Sequence, residues 1–411
     1  MKKVIITFLF FSSLLINAQE KKEEPKYGIT FSGFVKTDIF YDTRQSGASN
    51  GLREGHFYLY PDNKLYDADG KDINANPSLH FLNIQTRIRG DISGPDAFGA
   101  KTSGAIEAEF FGTSEADING FRLRHAYVKM DWPGTSIISG QFWHPMFVTE
   151  SFPGTISFNT GAPFKPFSRN PQVRLTRMIG KSSVSVTAYG QRDFSSPGPD
   201  GNSNKYLRNS GLPALDLQMR IPAGSVVTGW LGIDYKWIRP ELRTSANVET
   251  DETVGSMAAF ANIKIKTSPV NVSLMGVYGQ NTADMIMIGG YAVRTIDAGT
   301  QLKTYTTLKT GNLWLDIVTT GTKTAFGLFA GLSKNLGAVD DIAGAIYGRG
   351  TDIDHIFRVS PRITFTQGKL SLAGEIEHTT AAYGTIQIDG RVNNTISVSN
   401  LRILLSTIYR F

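Results

Sequence analysis

Residues 401–411 read LRILLSTIYRF and alternate with a period of two. Leu401, Ile403, Leu405, Thr407, Tyr409 and Phe411 fall on one face. Arg402, Ser406 and Arg410 share the other with Leu404 and Ile408. A strand sends successive side chains to opposite faces, so this segment is a strand with one apolar face. In a membrane barrel that face meets lipid and the other meets the lumen. A barrel has no free edge, so its last strand is expected to pair with its first as far as Phe411.

The same alternation recurs upstream. FLNIQTRIRG (81–90) sets Leu82, Ile84, Thr86 and Ile88 against Asn83, Gln85, Arg87 and Arg89. Leu215, Leu217 and Met219 oppose Asp216, Gln218 and Arg220. Leu231, Ile233, Tyr235 and Trp237 oppose Asp234 and Lys236. Phe357, Val359, Ile363 and Phe365 oppose Arg358, Ser360, Arg362 and Thr364, with Pro361 marking a bulge or weak pairing because it cannot donate to a ladder. Gly- and Pro-bearing turns at 131–135, 178–182, 222–225, 266–269, 320–323 and 366–369 separate these runs. Longer polar connections at 44–78, 112–119, 144–171, 193–212, 240–253, 281–303, 336–352 and 381–395 alternate with them. Short turns on one side and long loops on the other are the outer-membrane arrangement. With both termini periplasmic the strand number is even. Eight long loops give an all-β, antiparallel, up-and-down transmembrane barrel of sixteen strands, or eighteen if 281–312 adds a hairpin. Tyr41, Phe111, Phe121, Trp132, Trp143, Trp237, Tyr278 and Tyr409 fall near strand ends, as interfacial girdles do.

The composition fits an exported barrel. Lys2 and Lys3 precede an apolar stretch at 4–16 and a small residue, Ala18, so residues 1–18 read as a signal peptide. Its loss lowers the formal charge from +6 to +4, two lysines fewer. There is no cysteine, which excludes a lipoprotein anchor and a disulfide framework. No later stretch approaches the roughly 20 apolar residues of a spanning helix. Residues 19–28 form a short charged periplasmic tail, and 29–411 the barrel. Localisation in a bacterial outer membrane is expected, with the bilayer and lipopolysaccharide around the wall.

Several segments together resemble DcaP-like outer-membrane porins: GFVKTDIFYDTR (33–44), FRLRHAYVKM (121–130), GQFWHP (140–145), PQVRLTR (171–177), GLFAGLSKNLG (327–337), FRVSPRITF (357–365), EIEHTTAAYG (375–384) and the terminal YRF. The resemblance keeps their order over most of the mature chain. It implies a sixteen-stranded homotrimeric porin favouring small anionic solutes such as dicarboxylates. The C-terminal strand ending at Phe411 also resembles the signal read by the outer-membrane barrel-assembly machinery. The long helical N-terminal extension of some members has no counterpart here, so trimer contacts are expected on the barrel wall.

Lumen-facing charge is where such a wall sets selectivity. Arg87 and Arg89, then Glu107 and Glu109 in phase with Lys101, then Arg122 and Arg124 form neighbouring columns of alternating sign. Arg358 and Arg362, Glu375 and Glu377, and Arg402 and Arg410 repeat the theme. The glutamates are expected to hold the arginine columns in place. Loop 144–171, rich in Pro, Gly and Phe, is expected to fold inward and narrow the pore. Its Lys165 and Arg169 would stand near Arg174 and Arg177, where guanidinium forks suit carboxylates. The function expected is passive, charge-filtered diffusion of small hydrophilic solutes. The alternatives are a phosphate-type anion porin or a closed barrel that works as a surface-binding or structural protein.

Other classes fit less well. His56, His80, His125, His144, His355 and His378 form no nucleophile–base motif, so no enzyme is expected. Asp62, Asp67, Asp69 and Asp72 surround Gly70 without the EF-hand order, so they read as turn residues rather than a metal site. No cofactor or nucleic-acid partner is implied, and no folded plug domain precedes the first strand.

Overall fold

The computed structural model describes residues 27–46, 51–52, 54–112 and 115–411. Residues 1–18, read above as a signal peptide, and residues 19–26, read as part of a charged tail, lie outside the described residues. Sixteen wall strands follow one another around a closed antiparallel barrel. They are β1 (Gly28–Asp42), β2 (Ser78–Leu82 continued by Arg87–Ser93), β3 (Lys101–Glu109), β4 (Arg122–Trp132), β5 (Thr135–Trp143), β6 (Arg169–Ile179), β7 (Ser182–Tyr189) and β8 (Ala214–Ala223). The circuit continues with β9 (Val227–Ile238), β10 (Val254–Lys266), β11 (Val270–Gln280), β12 (Lys303–Thr319), β13 (Thr324–Ala338), β14 (Ile353–Gln367), β15 (Leu370–Ile386) and β16 (Val392–Arg410).

Closure runs from Phe34↔Arg410 to Asp42↔Arg402. Gly33 N–H donates to the Phe411 carbonyl at 3.2 Å, and Phe411 N–H to the Gly33 carbonyl at 3.1 Å. In β16, Leu401 to Tyr409 point outward at every second position, and Asn400, Arg402, Leu404, Ser406 and Ile408 are buried inward. Leu215, Leu217, Leu231, Ile233, Leu313, Leu328, Phe357, Leu372 and Leu405 cover the outside of other strands. That apolar exterior is what lets the wall face hydrocarbon, while every ladder bond is made within the barrel.

The eighteen-strand alternative does not hold. β11 pairs directly with β12 from Val270↔Thr319 to Gln280↔Lys309. Gly289–Ile296 instead pairs with the far part of β12 and with Ile346–Arg349, above the wall circuit. The last long connection also shrinks, because β15 and β16 run on as a tall hairpin and leave only 387–391 between them. β13 likewise extends to Ala338, and β6 begins at Arg169, so the fifth-strand loop is 144–168. Short turns close the other end; Gly368, at φ +58°, takes the left-handed conformation between β14 and β15.

Two local expectations change. Asp38 pairs with Leu82 and Phe34 with Arg87, so β2 carries an extra residue across 83–86. That bulge flips the phase, and Leu82 and Ile84 pack inward while Ile88 faces out. Pro361 leaves a gap between the Val359↔His378 and Arg362↔Glu375 pairs, but the register on either side is unchanged. The pairing is weak there and no residue is inserted. Two aromatics expected in the girdles sit inside instead: Phe111 is fully buried, and Trp143 stacks on Phe147 at 3.8 Å.

Candidate pore and its charged node

The interior is not empty. Loop 144–168 crosses it from β5 to β6 and is strapped to the opposite wall. Gly154 N–H donates to Asp316 of β12 at 3.2 Å, and Ile156 N–H to Glu375 of β15. The Asn159 amide donates to Glu377 at 2.9 Å, Lys36 Nζ to the Ile156 carbonyl at 2.7 Å, and Arg358 to the Ala162 carbonyl at 2.8 Å. Inward carboxylates of β12 and β15 thus satisfy loop N–H groups that have no ladder of their own. Two further segments turn inward. Residues 56–60 are buried, with Arg358 donating to the Leu59 carbonyl at 2.6 Å and Tyr383 to the Pro61 carbonyl at 2.9 Å. Residues 283–288 are buried as well, and the Met285 carbonyl accepts from Phe167 N–H at 3.0 Å. Phe57, Phe158, Phe164, Phe167, Met285 and Trp314 belong to the apolar cluster that locks these segments together. The aromatic run HFYLY (56–60) in an otherwise polar loop is the sequence signal for the first of them.

Between the filled parts lie cavities. One of about 680 Å³ opens among the long loops and is lined by Arg122, Arg192, Asp193, Asn202 and Arg349. Another of about 720 Å³ lies toward the short-turn end, with Lys36, Arg87, Arg89, Glu107, Arg124 and Arg410 on one side. Phe142, Trp143, Phe147, Phe152 and Phe158 line its other side.

A charged node separates the two. Inward phase on β2, β3 and β4 brings the predicted columns together, and β6 adds Arg169. Glu109 lies 2.5 Å from Arg124 Nη1, 2.8 Å from Arg87 Nη2, 2.9 Å from Arg122 Nη2 and 3.6 Å from Arg169 Nη1. Glu107 lies 2.7 Å from Arg124 Nε and 3.3 Å from Arg89 Nη1. Asp193, from the loop after β7, binds Arg169 at 2.6 Å and Arg122 at 3.1 Å; sequence reading passed over it because it stands in a connection. Arg89 also pairs with Asp91 at the rim, at 2.7 Å. Arg122, Arg124 and Arg169 lie against aromatic rings at 5.2–5.5 Å, which shields them from water.

The remaining predicted residues do not join the node. Arg174 faces the lumen, donates to the Trp143 carbonyl at 3.0 Å and lines a smaller cavity of about 420 Å³ with Lys129 and Arg220. Arg177 lies on the outer face and bonds Thr135. Positions 174 and 177 are an odd number apart on one strand, so they cannot share a face. Lys165 is buried within loop 144–168, its Nζ 3.5 Å from the Phe147 ring centroid and without a hydrogen-bond partner. It contributes to loop packing rather than to a cavity wall. The other inward pairs, Arg362–Asp316 at 2.7 Å, Arg402–Asp42 at 2.6 Å and Arg358–Glu377 at 3.2 Å, are neutralised in place. In the acidic loop, Asp67 and Asp72 accept backbone N–H groups of residues 65, 69, 71 and 74, the behaviour of turn residues.

No family model and no curated protein matches the sequence. Solved structures do match the fold. The outer membrane channel DcaP of Acinetobacter baumannii superimposes with a TM-score of 0.69 at 17% identity, over 94% of this chain and 97% of that one. An anion-selective porin from Comamonas acidovorans gives 0.56 at 10% identity, over 94% and 100% of the two chains. The trimer form of OmpT, an outer membrane protein of Vibrio cholerae, gives 0.50 at 9% identity, over 94% and 99%. The chain therefore has the sixteen-stranded fold of the DcaP channel and of porins, and with its apolar outer wall it is a bacterial outer-membrane β-barrel.

Proposed function

We propose that the chain is a porin through which small hydrophilic solutes cross the outer membrane passively, with a preference for anions such as dicarboxylates. The charged node carries this reading. Arg87, Arg89, Arg122, Arg124 and Arg169 face four carboxylates, Glu107, Glu109, Asp193 and, at the rim, Asp91, an excess of one positive charge. They bridge the cavity among the long loops and the cavity at the other end. A cationic column in a low-dielectric wall concentrates anions and repels cations, and guanidinium forks fit carboxylate or phosphate oxygens. Loop 144–168 narrows the route and sets the size of what passes. No catalytic step or cofactor enters this reading. A homotrimer in contact with lipopolysaccharide, delivered by the barrel-assembly machinery through the strand ending at Phe411, completes it.

The inward segments favour one competing reading, a closed barrel that binds ligands at its surface. Bilayer reconstitution separates the two. Purified chain in a planar bilayer under a salt gradient is expected to show discrete conductance steps with an anion-directed reversal potential. Cation preference would mean that the carboxylates dominate, and stable insertion without steps would favour the closed barrel.

A further inference from the structure

We propose that Glu109 is a built-in ligand: it occupies a four-arginine carboxylate site in the barrel wall, and that site takes a free small carboxylate once Glu109 is removed. The inference deepens the anion-diffusion reading, on which its transport consequence rests, while its binding test stands apart from conduction.

The site is assembled from three strands. Arg122 and Arg124, two apart on β4, share the inward face; Arg87 comes from β2 and Arg169 from the start of β6. The β3–β4 register shifts between Glu107 and Ala108, and Arg124 bonds both Glu107 and Glu109. Glu109 is fully buried and borders neither large cavity. Its arginines do border them: Arg122 the one among the long loops, Arg87 and Arg124 the other. The cations are thus reachable from both sides, while the carboxylate that joins them is hidden.

The donors also exceed the need. A carboxylate offers about four lone-pair positions. Glu109 accepts hydrogen bonds from Arg87, Arg122 and Arg124, yet the Nε groups of Arg87 and Arg122 remain buried with no hydrogen-bond partner. Four guanidiniums around one acid form a site for a carboxylate, and the chain supplies one from its own Glu109 side chain. A tethered carboxylate blocks full capture of a passing one but leaves a net positive passage beside it. Removing it raises the excess of positive charge from one to two.

Glu109→Ala deletes a CH2–COO⁻ group, so acetate is the matching probe. The full chain, purified and folded in detergent, is heated with acetate or with chloride at equal ionic strength, and the loss of the heat-resistant band on unboiled gels is followed. Wild type is expected to melt at the same temperature in both salts. Glu109→Ala is expected to melt lower in chloride and to recover at least half of that loss in acetate. Glu109→Gln keeps the volume and leaves no room, so it is expected not to respond to acetate. If Glu109→Ala folds only when refolded in acetate, the site is equally supported. If it folds and ignores acetate, or fails to fold in either salt, the proposal is overturned. In bilayers both variants are expected to shift the reversal potential further toward anions. A non-conducting wild type would sink the diffusion reading and leave the acetate result to judge the site by itself.

Discussion

An arginine on this wall takes its meaning from where its side chain lands, which at a strand end is not fixed by phase. Positions 169 and 177 are an even number apart, yet Arg169, the first residue of β6, is fully buried. Arg169 and Arg177 belong to the same strand, but the first is buried among Glu109 and Asp193 and the second lies outside against Thr135. Breaking a buried ion pair leaves its partner uncompensated and costs about 3–5 kcal/mol, whereas an exposed contact is worth about 0–1 kcal/mol. Arg169→Ala should therefore lower the unfolding midpoint clearly and reduce anion preference, because Asp193 loses its shortest contact. Arg177→Ala should leave reversal potential and midpoint close to wild type. Equal effects of the two substitutions on selectivity would contradict the assignment of faces. The columns of Arg87, Arg89, Glu107, Glu109, Arg122 and Arg124 were legible in the sequence because each pair stands two apart on a strand, a spacing that survives the bulge before Arg87 and the register shift at Arg124. The placement of Lys165 was not, because residues in an irregular loop have no phase from which to read a direction.

At the scale of elements, the strands could be read from the sequence and the filling of the barrel could not. Alternation and turn residues specify where a strand lies, but the bulge at 83–86 inserts one residue and reverses the faces of Leu82 and Ile84 without any change in composition. Loop 144–168 announces itself by its phenylalanines, yet its anchors lie far away in sequence on β12 and β15. Those anchors make a prediction. Hydrogen bonds to charged acceptors contribute about 1.5–3 kcal/mol each. Glu375→Ala removes the acceptor of Ile156 N–H, so it should loosen the tip of the loop and give larger, noisier single-channel steps. Steps of wild-type size and noise would show that Glu375 does not restrain the loop. The outer loop 63–76 makes a pH prediction. Burial pushes the Asp72 carboxyl up, but hydrogen bonds from Arg44 and the Leu65 N–H, the Arg44 charge and the Asn74 N–H together hold it below the usual value. Such a group stabilises its surroundings above the usual carboxylate pKa of about 3.9, and that stabilisation fades as pH falls through the lowered value. Amide exchange across 63–76 should thus be slow at neutral pH and should accelerate in strong acid beyond its intrinsic rate. Asp72→Asn should show the faster exchange at neutral pH, and equal protection of variant and wild type there would contradict the role given to Asp72.

The whole molecule depends on one seam. β1 bonds to β2 on one side and β16 on the other, so the barrel is a barrel only while Phe34↔Arg410 and the pairs beyond it are made. Phe411 extends that seam by a reciprocal pair of backbone bonds with Gly33, and its ring packs where a Gly33 side chain would stand, 2.9 Å from an added Cβ. Without Phe411 the segment of β1 before Phe34 loses this partner, and an unpaired edge in a membrane is costly because no water satisfies it. Deleting Phe411 removes both the backbone pair and the outward aromatic, whereas Phe411→Ala keeps the backbone pair alone. If backbone closure dominates, the deletion should reduce folded barrel in the outer membrane severalfold and Phe411→Ala only slightly. If the aromatic is the feature read during assembly, the two variants should fall together in cells, while both refold normally from denaturant in detergent. Unchanged levels of heat-resistant barrel for both would mean that the seam is held by Phe34 to Asp42 alone.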